Sequence, residues 1–63
     1  MTHLTWVFHR YVTAWNNLGD AFERVKKLPD ALACYQEALS YAPDNKIAGG
    51  RAQALRTKLD RLA

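Results

Sequence analysis

A single cysteine, Cys34, excludes an internal disulfide, so nothing in the chain signals an oxidising compartment. No apolar run approaches the roughly 18 residues needed to cross a bilayer. The stretch from Leu4 to Phe8 is too short, and is interrupted by Thr5, to serve as the apolar region of a signal peptide. Only three glycines and two prolines occur in 63 residues, of which 49% are hydrophobic, and this argues for an ordered, helical chain. Catalytic signatures are missing as well. There is no phosphate-binding loop, no nucleophile beside a base, no metal quartet and no pair of carboxylates in a credible cleft. His3 and His9 lie six positions apart, which suits neither the i,i+3 nor the i,i+4 spacing of a helical metal pair. Cys34 has no histidine near it in sequence to activate a thiol, so it reads as a small packing residue. Asp20 and Glu23, three apart on one helical face, read as recognition polarity rather than an acid/base pair. The expectation is no enzyme, no cofactor and no metal.

What is present is periodicity. Trp15, Leu18, Phe22 and Val25 recur at three- and four-residue steps and fall on one face of a helix. Leu28, Ala31, Leu32, Tyr35, Ala38 and Leu39 do the same on a second. The spacing predicts helices over about 12–26 and 29–41, folded back as an antiparallel hairpin. Leu28-Pro29-Asp30 ends one and opens the next, since proline suits a first helical turn and an acid favours the positive end of the helix dipole. Gly19 inside the first helix costs roughly 1 kcal/mol against alanine, which suggests a place where no side chain fits. Glu23 and Lys27 are placed for a helical i,i+4 ion pair worth a few tenths of a kcal/mol. Ala42-Pro43-Asp44-Asn45 breaks the chain again, with Asp44 or Asn45 placed to cap a third helix. From Lys46 the apolar positions Ala48, Ala52, Leu55, Leu59 and Leu62 return, one face inward and a charged face outward. Gly49-Gly50 either weakens its first turns or admits another backbone.

The spacing W-x2-L-G-x2-F at Trp15–Phe22, A-x3-Y-x2-A at Ala31–Ala38 and then Pro43 resembles the tetratricopeptide repeat (TPR), a unit of about 34 residues. Phe22 stands for the usual Tyr and Tyr35 for the usual Phe, and Lys26 occupies a turn position where the family often has Gly. The resemblance implies an all-α fold: an apolar lead-in over 1–11, one TPR hairpin over 12–45, and a capping helix over 46–63. Continuing the repeat frame past Lys46 would need a large residue at Gly49, Leu at Ala52, Gly at Gln53 and an aromatic at Arg56, and none is there. The stretch from Trp15 to Phe22, with Asp44-Asn45-Lys46-Ile47-Ala48 and the Arg-rich last helix, further resembles the terminal TPR segment of photosystem I assembly factors. Those are non-enzymatic scaffolds of chloroplast and cyanobacterial thylakoids. That resemblance implies an intracellular, chloroplast setting, with a transit peptide and membrane anchor outside the residues shown.

In the family, first helices line a concave groove that takes a peptide or helix of a protein partner. Carried onto this chain, the groove positions are Thr13, Asn16, Asn17, Asp20 and Glu23, joined by Ile47 and Arg51 from the third helix. Some TPR proteins clamp the terminal carboxylate of chaperone tails. Asn17 and Arg51 match two of those places, but Asp20 replaces a needed Asn and Ile47 a needed Lys, which counts against a co-chaperone. A chain this short buries only about 60% of its unfolded surface, and one repeat leaves part of its stripe bare. Self-association or docking on a larger complex through Leu4, Trp6, Phe8 and Tyr11 is therefore expected. The net charge of +3 is uneven: five basic residues and the single acid Asp60 lie between Lys46 and Arg61. This reads first as a solvated outer face. The alternative is a basic helical nucleic-acid-binding module, which would need aromatics exposed among the cations rather than on packing stripes.

Overall fold

Three helices follow one another: α1 (His3–Arg24), α2 (Leu28–Tyr41) and α3 (Lys46–Leu62). The computed structural model describes the backbone of residues 3–62 and the side chains of residues 10–62. No strand occurs among the described residues, and the fold is all-α. Two reversals place α2 between α1 and α3, so the outer helices run in the same direction.

α1 begins well before the expected start near Val12, because neither Gly nor Pro interrupts the chain until Gly19. The apolar lead-in is therefore helical and continuous with the hairpin. The same helix stops at Arg24, short of the expected Lys26, and the reason is a left-handed residue. Lys26 has φ 65°. Its N–H donates to the carbonyl of Glu23 at 3.0 Å, and that of Lys27 donates to Phe22 at 2.9 Å. This pair of bonds is a Schellman stop, which glycine usually completes. Lys27 consequently leaves the helix, and the expected Glu23–Lys27 pairing gives way to a contact between Glu23 and Arg51, 3.6 Å apart. α2 then starts with Leu28, Pro29 and Asp30 in its first turn and no side-chain cap. α3 is capped by Asn45 rather than Asp44: the Asn45 Oδ1 accepts the Ala48 N–H at 2.9 Å.

The core is built from small residues and one large one. Ala31, Ala38, Ala48 and Ala52 are fully buried, with Val12, Leu55 and Tyr35, and Trp15, Phe22, Leu28, Leu32, Leu39 and Ala42 pack round them. Alanines on α2 and α3 let the helices approach closely, and Tyr35, at 0% exposure, fills the remaining gap. A Cβ built on Gly19 would lie 2.8 Å from the Tyr35 ring. The expectation of a site without room for a side chain holds at Gly19. At Gly49 and Gly50 a Cβ would meet nothing within 4 Å, so among the described residues no other backbone comes close there. Leu18 and Val25, expected on the packed stripe, are exposed, as is Leu62 in the last turn of α3. The apolar stripe on α1 is wider than the face α2 covers, and Val25 lies beyond the helix end.

Cys34 is buried in α2. Burial first, then Asp30 and Glu37, push its thiol pKa up, so it stays protonated at neutral pH, as a packing role requires.

Two substitutions test this account by thermal unfolding followed by circular dichroism. Gly19→Leu is expected to destabilise the chain by about 1–3 kcal/mol, because the Tyr35 ring has nowhere to retreat. Lys26→Gly is expected to raise the melting temperature, relieving a left-handed conformation that costs a side-chain-bearing residue about 1 kcal/mol.

Candidate protein-binding site

Parallel α1 and α3 flank a cleft, and a shared hydrogen-bond acceptor fixes its upper end. The Asn45 Oδ1 that caps α3 also receives the Asn16 Nδ2 of α1, at 3.3 Å. Because this oxygen already accepts the Ala48 N–H, the Asn16 amide must present its nitrogen to it. Asn16 Oδ1 is left buried without a partner. Of the expected recognition residues, Asn16 is thus the one whose amide donor is taken up in holding the fold together.

Further down, one cation faces two acids. Arg51 Nη1 lies 3.6 Å from Glu23 Oε2 and 4.0 Å from Asp20 Oδ1, while Asp20 Oδ2 pairs with Arg24 Nη2 at 3.1 Å. All are partly solvated, so each contact contributes at most about 1 kcal/mol. Beneath them ends the Tyr35 side chain that passes under Gly19. Its hydroxyl is buried, faces the Arg51 guanidinium, and makes no full hydrogen bond. Burial, then Glu23, raise its pKa, with Arg51 opposing and Asp20 adding to the rise. The groove floor is thereby tied to the core.

The cleft, of about 270 Å³, is lined by Thr13, Asn16, Asn17, Asp20, Ile47 and Arg51. Glu23 joins it through Arg51. The structure therefore gathers at one place every recognition residue carried over to the two flanking helices. The surface offers a hydroxyl, an exposed amide at Asn17, an apolar side chain at Ile47 (59% exposed) and an acid–base cluster. Such a mixture has the groups to hydrogen-bond a peptide backbone and to seat one apolar side chain. The side chains of Leu4, Trp6 and Phe8, expected to dock a partner, and those of His3 and His9 lie outside the described residues.

Across α1 is a second, apolar hollow of about 320 Å³, lined by Tyr11, Ala14, Trp15, Leu18 and Tyr41. Tyr11 and Tyr41 stack with ring centroids 5.6 Å apart. Sequence reasoning placed Tyr11 on a docking surface but missed Leu18 and Tyr41. The signal was available in the width of the α1 apolar stripe, which exceeds what one neighbouring helix can cover.

The sequence profile of the tetratricopeptide repeat family matches residues 12–45. Among curated proteins, the "Tetratricopeptide repeat domain-containing protein PYG7, chloroplastic" of Arabidopsis thaliana is 53% identical over 49 residues. The match covers 78% of this chain and 16% of that relative, so the chain spans about a sixth of the relative's length. No solved structure matches. The helical hairpin, the glycine seated against an aromatic ring and the profile match over more than half of the residues agree: the chain belongs to the tetratricopeptide repeat family.

Proposed function

We propose that this chain is a non-enzymatic scaffold that holds a segment of a protein partner in the cleft between α1 and α3, in the assembly of a multisubunit complex. TPR repeats serve protein–protein interaction and are typically non-enzymatic. The observation that carries the reading is the cleft itself, where Thr13, Asn17, Asp20, Ile47 and Arg51 from two separate helices meet around one concave surface. The resemblance to photosystem I assembly factors, with a chloroplast relative at 53% identity, supports a chloroplast location and photosystem I as the complex assembled. A chaperone-tail clamp fits less well: Arg51 already faces Glu23 and Asp20, so it is not an uncommitted cation for a terminal carboxylate. A nucleic-acid module fits less well too, since the exposed aromatics Tyr11 and Tyr41 stack on each other across α1 from the basic helix.

Asn17→Ala and Arg51→Ala are expected to reduce co-purification of photosystem I assembly intermediates from chloroplast extracts while leaving helical content unchanged. Exposed substitutions of this kind usually shift stability by no more than about 0.5 kcal/mol. If both variants retain the partner while changes at Trp6 or Phe8 abolish binding, the cleft is not the binding surface.

The apolar hollow supports a second contact. Tyr11 and Leu18 are exposed together on it, an apolar surface that a neighbouring repeat or a second copy would cover. Sedimentation of the 63-residue chain is expected to show concentration-dependent association. A folded monomer at every concentration would refute that.

A further inference from the structure

The outer flank of α3 carries more positive charge than a solvated surface requires. Ile47, Arg51, Ala54, Lys58, Arg61 and Leu62 recur at helical steps along one face, and all are exposed. The one acid of this helix, Asp60, lies roughly 150° round from the centre of that row at 100° per residue. Arg24 and Arg51 each face an acid, whereas Lys58 and Arg61 have no ion pair among the described residues. Two cations spaced i,i+3 also repel, an effect that the helix dipole offsets at Arg61 in the last turn but that an external anion would relieve further. At the ends of the row, Ile47 and Leu62 are 59% and 71% exposed.

We infer that the segment bound in the cleft is acidic where it leaves the cleft, its carboxylates lying over Lys58 and Arg61. This rests on the cleft reading above and adds the chemistry and direction of the partner. The row starts inside the cleft, at Ile47 and Arg51, and runs on past it. Lys58 and Arg61 stand about 10 and 15 Å further along the helix axis. Within the cleft Arg51 is already matched by Glu23 and Asp20, so that portion favours neutral groups. Beyond it Lys58 and Arg61 meet no acid among the described residues, and an acidic segment complements them. A lipid surface is the poorer occupant, because the continuous apolar side of α3, at Ala48, Ala52 and Leu55, is buried in the core. Nucleic acid lacks the aromatic platform along this row.

The test is fluorescence anisotropy on the full chain with two labelled amphipathic peptides that differ only in Glu against Gln. The Glu peptide is expected to bind about tenfold more tightly, the sum of two exposed ion pairs. The double variant Lys58→Glu, Arg61→Glu should abolish that preference and transfer it to a Lys counterpart, with unchanged circular dichroism. Asn17→Ala should weaken both peptides equally and leave their ratio intact. If Asn17→Ala alters neither affinity while the preference persists, the cleft reading fails and the acidic preference stands. The inference is overturned if wild type binds neither peptide, if it shows no preference, or if the preference survives the double variant. Tighter binding to phosphatidylglycerol vesicles or to duplex DNA than to the Glu peptide overturns it as well.

Discussion

The contact between Tyr35 and the bare backbone at Gly19 is the constraint on which the molecule depends. It sets how closely α1 approaches α2, since a Cβ at that point would sit 2.8 Å from the ring. Burying one large side chain stabilises by about 1.5–3 kcal/mol, a substantial fraction for a chain this small. The same ring carries its hydroxyl to the underside of Arg51, between Asp20 and Glu23. Core packing and the position of the cleft's charged cluster are therefore one arrangement. A change that loosens the core therefore displaces the cleft as well.

At the other end of the cleft, a single oxygen does comparable work. Asn45 Oδ1 satisfies an otherwise orphaned N–H at the start of α3 and receives the Asn16 amide from α1. The cap that starts the third helix thus also sets its position beside the first. Residues 12–45 form the repeat, but its concave surface exists only because Ile47 and Arg51 on the next helix close it.

The hairpin was legible in the sequence because small and large apolar residues alternate at helical steps, and glycine sits where a ring must pass. The cleft-lining positions on α1 and α3 were carried over from the family resemblance, and on α1 they are polar residues off the apolar stripe. The helix ends were less so. Nothing in the residues alone distinguishes a lysine in a left-handed Schellman turn from a lysine in a last helical turn, and so α1 ended two residues early. The start near Val12 reflected where the repeat begins, although no residue before it can stop a helix. Exposure of Leu18 was hidden because periodicity reports which residues share a face, not how much of that face a neighbour covers. The role of Asn16 depended on Asn45, 29 positions away, and pairings at that separation leave no periodic trace.

Two features are left without a use inside the chain, and they lie on different sides of it. Gly49 and Gly50 weaken α3 by roughly 1 kcal/mol each, yet none of the described residues occupies the space they leave. The hollow bounded by Tyr11, Trp15, Leu18 and Tyr41 holds apolar surface in water. Surface of that kind raises the free energy of the isolated molecule, and only an apolar neighbour lowers it again. The cleft differs in character, being polar, half-satisfied internally and tolerant of solvent. A polar cleft suits exchange of a bound segment, whereas an apolar hollow suits a lasting contact. If the cleft holds a partner segment as proposed, the two faces of α1 divide the labour by their chemistry: the apolar one would attach the module, and the polar one, completed by α3, would read what passes through.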